Sequence, residues 1–445
     1  MGDAKQVKTP LSRRLFINRD FGLLFLGRLV SQIGDGIHYF ALTWLVLDLT
    51  GSGAALGSVL MVSTLPGILL SPFAGVIVDT VSRKMIIVGA DLIRGLLALA
   101  LAVVYYLGLL TMPILYIATA LLSLCGVVFG PAISASVPNL VEKDELVQAN
   151  ARNTFSMSAT GILGPVVGAM LLGATGYFGV FAINGICFIL SGISEMFIRF
   201  PSQIKPEAAD SEQDETANPW GQFMHNFKQG FAYIWNNEGL RTIILFALTL
   251  NFIANPLFSV VFPYFGKEVL RMDASHFGFI QSSFPVGLML GTFIVGALTQ
   301  RYTKFRLLTA GIVGQGFLVI FMSIIAFPAV YQGLSATAVF ISIALPMLML
   351  GVLSVQVNVP LGVALQESVP DHYRGRVFGL MDSLTQMLVP LSMAVFGVLL
   401  DIIPAAYFLI VCGVFSIVLG FAMGRSPGIV TLYDEIESTG SAVAQ

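Results

Sequence analysis

Within a long apolar run near the start of the chain, Arg28, Gln32, Asp35 and Tyr39 are spaced by four, three and four residues. In a helix that spacing puts all four on one face, and His38 lies about 80° to one side of Arg28. An ionisable group inside hydrocarbon is costly enough to be a functional candidate by default. The chemistry open to this set is binding and release of a proton. Asp35 is a carboxylate that can titrate, Arg28 is a cation that holds its charge in balance, and His38 is a second titrating group. The competing reading is an Arg–Asp pair that only serves the packing of a helix bundle.

Other polar residues in apolar surroundings divide by type. Asp91 and Arg94 are three apart and can pair on one helical face. Asp382 lies near Ser383, Thr385 and Gln386, and Glu195 sits one turn from the end of its apolar run, where a structural role is expected. Asn251, Asn255, Gln281, Gln356 and Asn358 are neutral amides among Phe, Met and Leu. Together with Gln32 and Tyr39 they suit a large amphipathic ligand, and their alternative role is to join helices by hydrogen bonds. A pocket selective for phosphate or carboxylate would call for more Arg and Lys at this depth than Arg28 alone. His225, His276 and His372 fall in loops or at helix ends, and Cys125, Cys187 and Cys412 fall in apolar runs as small hydrophobes. No metal-ligand spacing occurs and no disulfide is expected.

The elements that must hold these residues follow from composition. With 56% hydrophobic and 11% charged residues in 445, and a mean hydropathy of +0.85, the chain reads as an all-α membrane protein crossing the bilayer many times. Segments of about 20 apolar residues, enough to span the hydrocarbon as helix, number twelve: 20–47, 55–79, 85–108, 112–136, 147–173, 177–199, 240–266, 274–300, 306–328, 336–366, 374–400 and 404–425. Lys5, Lys8, Arg13, Arg14 and Arg19 precede the first, without a cleavage site. Among the cations only Lys267 and Arg271 fall in a loop on the opposite side, so both termini are expected in the cytoplasm. The expected organisation is a six-helix bundle over 1–200, a cytoplasmic linker with an amphipathic helix over 201–239, a second six-helix bundle over 240–425 and a cytoplasmic tail over 426–445. The linker between Pro201 and Pro219 is acidic and solvated, and Phe223, Phe227, Phe231 and Ile234 after it repeat at helical spacing. That helix lies in the membrane interface or packs on the bundle ends. A net charge of -2 with no basic patch gives no reason to expect nucleic acid as a partner.

The second half faintly repeats the first. A shift of 221 places Gly57 over Gly278, Gly75 over Gly296, Asp79 over Gln300 and Arg83 over Lys304. Two pseudo-symmetric halves joined by a linker are expected to hold a substrate at their interface near the midplane. The loop Gly75-Val-Ile-Val-Asp79-Thr-Val-Ser-Arg83-Lys84 resembles the signature loop of the major facilitator superfamily between its second and third helices. Gly164-Pro165-Val-Val-Gly168-Ala resembles that family's antiporter motif. The runs around Asp91 to Arg94 and Pro370 to Phe378 resemble its macrolide-efflux and enterobactin-exporter branch.

That resemblance implies the family's fold and an activity. First and eleventh helices would line the central cavity, which makes Asp35 the leading proton carrier and Asp382 the second. Gly75, Asp79, Arg83 and Lys84 would form a conformational latch, with Asp79 meeting the positive start of span eleven and a cation of the loop, and Asp91 and Arg94 supporting it. Asymmetry is expected of the latch, because Gln300 replaces the acid in the second half. The expected protein is no enzyme. It is a secondary transporter of the bacterial inner membrane that exports macrolide-like drugs or siderophores by proton antiport and alternating access, as a monomer and without cofactor. A lysophospholipid or lipid translocator is the runner-up, and a non-transporting membrane sensor on the same fold is the more distant alternative. No P-loop motif is present, so ATP drive within the chain is excluded.

Overall fold

Backbone amides have no water to bond within a bilayer, so apolar runs of this length fold as helices, and the computed structural model of residues 17–200, 219–431 and 433 shows this. The acidic linker from 201 to 218 and the cations before residue 17 lie outside the described residues, as do the side chains of Phe223, His225 and His372. Among the described residues, ten helices are long and apolar enough to cross a bilayer by length and composition. One of them, Lys143–Met196, runs 54 residues and is broken at Gly176, where φ is 65°, so it makes two spans. Arg19–Thr50 (α1), 32 residues long and carrying Arg28 and Asp35, is the remaining one of the twelve expected.

The other helices are α2 (Gly53–Thr80), α3 (Arg83–Tyr106), α4 (Met112–Leu140), α5 (Leu146–Met196), α6 (Pro219–Asn236), α7 (Glu238–Pro256), α8 (Ala274–Leu298), α9 (Lys304–Ile325), α10 (Ala336–Ser368), α11 (Asp371–Ile402) and α12 (Ala405–Arg425). The starts of α7, α9 and α10 are set by side chains that accept a free amide of the first turn. Asn237 accepts from the Leu240 amide at 2.9 Å, Thr303 from Arg306 at 3.3 Å and Ser335 from Ala338 at 3.2 Å. Gly51, with φ of 59°, makes the turn between α1 and α2, a conformation a side chain resists. After Pro256 the seventh span continues as two wide π turns, Leu257–Val261 and Phe265–Val269, so Lys267 sits on a helical turn rather than in the expected loop.

Contacts divide the chain into two compact units. One contains Met1–Tyr39, Leu69–Gly164 and Thr175–Asp214; the other contains Phe40–Ile68, Pro165–Ala174 and Glu215–Gln445. The division therefore does not follow the sequence halves, because residues 40–68 and 165–174 group with the second half. In the first unit, Phe21, Leu24, Ile87, Phe129, Ile133 and Ile198 form the core beneath the ends of α1, α3, α4 and α5.

In the second unit the core joins α6, α7, α9, α10, α11 and the segment after α12. Here α6 packs on the bundle end: Ile234 is buried, Gly230 lies against the Arg376 carbonyl, and Tyr233 stacks on Tyr373 at 4.5 Å. Its other face carries Phe231 and Trp235, both exposed and stacked on each other at 5.5 Å. The start of the tail is also part of this core. Tyr433 is buried, packs on Phe305 at 5.3 Å and donates to the Pro360 carbonyl at 3.3 Å. Tyr433→Ala is expected to cost about 3 kcal/mol, seen as a lowered melting temperature of the purified protein in detergent.

Candidate functional site

The polar residues of the first unit converge inside it. Arg94 of α3 forms an ion pair with Asp35 of α1 and lies 3.7 Å from Asp91 of its own helix. Its guanidinium stacks over Phe188 at 4.1 Å and faces Phe129 at 5.7 Å, an arrangement suited to a planar delocalised cation. The cation that balances Asp35 is therefore Arg94 and not Arg28, which forms no ion pair among the described residues. The reason is geometric: Arg28 and Asp35 share a face of α1 two turns apart, whereas α3 brings Arg94 to Asp35 from the side.

From Asp91 a line of hydroxyls runs to a third carboxylate. Ser31 of α1 lies 3.1 Å from Asp91 Oδ2 and 3.0 Å from Ser191 Oγ of α5, and Ser191 lies 3.4 Å from Glu195 Oε1. Asp91 and Glu195 have 0% exposure, whereas the Asp35 side chain is 45% exposed, so only Asp35 of the three is accessible. Glycines allow this approach. A Cβ on Gly27 would lie 3.0 Å from Ser191 Oγ and 3.3 Å from Glu195 Oε1, and one on Gly36 would lie 2.9 Å from the Cα of Gly164. Gly164 of the Gly-Pro motif thus supports a close crossing of α1 and α5.

Around this core, Gln32 accepts from Ser156 at 2.5 Å. His38 packs on Phe181 at 5.5 Å, and its Nδ1 has no hydrogen-bond partner among the described residues. Asn184 is fully buried with neither side-chain atom bonded among them, and its Oδ1 lies where a Cβ on Gly34 would reach. Buried polar atoms left open in this way are uncommon.

The remaining predicted residues lie elsewhere. Asp382 is exposed and forms no ion pair among the described residues. Asn251 and Asn255 donate back to carbonyls of their own helix, Ala247 at 2.9 Å and Asn251 at 3.1 Å. Gln356 donates to Leu307 of α9 at 3.1 Å, so it joins helices, whereas Asn358 is exposed. Gln281 has a buried Oε1 with no partner among the described residues.

In the signature loop, Asp79 is exposed and forms no ion pair among the described residues. The loop cations reach carbonyls instead of Asp79: Arg83 donates to Ala135 at 2.8 Å and Lys84 to Ile198 at 3.0 Å. Asp91 and Arg94 face Asp35 and Ser31, so they belong to the buried cluster rather than to the loop. A Cβ on Gly75 would meet nothing within 4 Å, and the same holds at its repeat partner Gly296. The other repeated pair is tight: Gly57 lies against the Met393 carbonyl, and a Cβ on Gly278 would lie 2.6 Å from the Pro165 carbonyl. The repeat thus matches environments as well as letters.

At the start of α2, Asp401 of α11 accepts from the amides of Gly53 at 2.6 Å and Ala54 at 3.2 Å and from Ser52 Oγ at 2.6 Å. A carboxylate at a helix N-terminus is well placed for the helix dipole. Lys267 pairs with Asp48 and lies 4.8 Å from the ring of Trp44.

A sequence profile described as Major Facilitator Superfamily matches residues 24–392. The chain belongs to that superfamily. It is therefore a multi-pass membrane transporter and not an enzyme. Macrolide efflux protein A of Streptococcus pyogenes is 25% identical over 88% of this transporter and 92% of its own length. The multidrug efflux pump Tap of Mycolicibacterium fortuitum is 25% identical over 85% of this chain and 88% of its own. Among solved structures, the nucleoside transporter NupG superposes with a TM-score of 0.68 at 14% identity, covering 92% of this transporter and 99% of that chain. The macrolide-efflux side of the sequence resemblance is thus met by whole-length relatives, and the fold by a solved transporter. Sequence reasoning for this transporter missed Ser31, Ser191, Asn184 and Asp401, since single serines and amides in apolar helices carry no signal of their own.

Proposed function

We propose that this transporter exports amphipathic compounds, macrolide-like drugs first, by alternating access coupled to inward proton movement. The Asp35–Arg94 ion pair is the observation that supports this reading. It couples an accessible carboxylate to a buried cation. A proton arriving on Asp35 removes its charge and frees Arg94 for Asp91, and loss of that proton restores the pair. The driving force is the proton gradient, with no cofactor. Like-named efflux relatives over nearly the whole length support the substrate class, and the scarcity of unpaired cations in the spans supports a ligand recognised by surface rather than by charge. The protein acts as a monomer in the bacterial inner membrane with both termini in the cytoplasm, as the loop cations suggest.

Everted membrane vesicles from cells expressing the protein test this directly. Radiolabelled erythromycin is expected to accumulate several-fold over vector-only vesicles when the lumen is acidic, and to leak out on addition of a protonophore. Uptake indifferent to the gradient for erythromycin and for a catecholate siderophore alike would contradict the reading.

A further inference from the structure

We infer that Glu195 is the inner proton-holding residue of this transporter and that Ser31 and Ser191 pass the proton between it and Asp91. The inference rests on the proton-antiport reading and adds a path to it. Three carboxylates face one guanidinium, in surroundings where an uncompensated charge is costly, so the cluster is built to carry protons as well as cations. Glu195 Oε2 is fully buried with no partner among the described residues, so nothing on that side holds the carboxylate ionised. The charged groups facing Glu195 are Asp91 and Arg94 of α3. Beside it lie Gly27 of α1 and Ser191 of its own helix α5, and α4 presents Cys125 to Arg94.

The step balances. At the start of the step Arg94 is on Asp35, Asp91 carries a proton, and Glu195 is ionised, having released its own proton toward the cytoplasm. When a proton reaches Asp35, Arg94 turns to Asp91, whose O–H bond breaks as its proton passes to Ser31 Oγ. Ser31 gives its own proton to Ser191 Oγ, Ser191 gives its own to Glu195 Oε1, and a new O–H bond forms there. Each serine gains one proton and loses one. Two links are 3.1 and 3.0 Å, and the longest is 3.4 Å. From Gly27, beside Glu195, to Asp35 the cluster extends about 12 Å along α1. It runs from the accessible carboxylate toward the end of α5 that the loop cations assign to the cytoplasm.

The test uses purified full-length protein in liposomes of bacterial phospholipid, with radiolabelled erythromycin as the probe. Two rates are compared for each variant: uptake driven by a pH gradient, and exchange of erythromycin at equal pH on both sides. In Glu195→Gln and in Ser191→Ala the ratio of driven uptake to exchange is expected to fall by about a hundredfold, and Ser191→Thr, which keeps a hydroxyl, is expected to restore it. A ratio equal to wild type in Ser191→Ala would overturn the relay even if Glu195→Gln fails to fold. If the wild type itself shows exchange without gradient-driven uptake, the antiport reading fails instead, so the two failures are distinguishable.

Discussion

Arg94→Ala is expected to lower the stability of the protein by about 3–5 kcal/mol, the usual cost of removing one partner of a buried charge pair. The guanidinium touches Asp35, lies 3.7 Å from Asp91 and stacks over Phe188 at 4.1 Å. Its loss leaves Asp35 with no cation and opens a space beside two aromatic rings. Arg94→Lys is expected to recover only part, because a point charge cannot both stack on Phe188 and reach two carboxylates. Adding Asp35→Asn to Arg94→Ala is expected to return some of the loss, since that side chain no longer needs a counter-charge. Melting temperatures of the purified variants in detergent check the series. An Arg94→Ala protein that melts with the wild type would show that the cluster is neither buried nor paired as described.

Gly57→Leu is expected to have the second large effect. Gly53 and Gly57 are four apart on α2, and Gly397 and Met393 are four apart on α11, a small-residue crossing in which backbones touch. Any side chain on Gly57 would run into the Met393 carbonyl, which has no freedom to move aside, and a Cβ on Gly53 would lie 2.8 Å from the Gly397 carbonyl. The helices must therefore separate, at a cost of about 1–3 kcal/mol from overpacking. Separation also withdraws the Asp401 carboxylate from the Gly53 and Ala54 amides. Conformations in which α2 and α11 stand apart gain population at the expense of this one. A cysteine at Ser52, in a background with Cys125, Cys187 and Cys412 replaced by Ala, reports it: the Gly57→Leu variant should react several-fold faster with a membrane-impermeant maleimide. Equal rates would mean that the crossing does not hold this end closed.

The hydrophobic pattern made the spans legible to within a few residues. Span ten was expected over 336–366 and is observed as Ala336–Ser368, because hydrophobic length and loop charge are written locally. The join of spans five and six was expected between 173 and 177 and falls at Gly176, a positive-φ glycine that carries the chain from one to the next without a loop. The cluster was legible only in part. Asp35, Asp91, Arg94 and Glu195 stood out as charges in apolar runs, but spacing along the chain paired Arg28 with Asp35 and Asp91 with Arg94. The observed partner of Asp35 is 59 residues away on another helix, and a pattern within one helix has no access to such a contact. Glu195 was assigned to structure from its depth alone; the serines that link it to Asp91 look like ordinary helix residues until three helices are brought together. Asp401 carried no signal either, being an acid at a helix end where solvated acids are common.

Gradient-driven uptake of radiolabelled erythromycin into liposomes, compared between wild type and Asp35→Asn, addresses the central claim most directly. The amide keeps the size and the hydrogen-bonding shape of the side chain but cannot carry a proton or neutralise Arg94. Protonation of Asp35 as the coupling step predicts strong accumulation by the wild type against its concentration gradient, and none by Asp35→Asn at any imposed pH difference. Full gradient-driven accumulation by Asp35→Asn would contradict it.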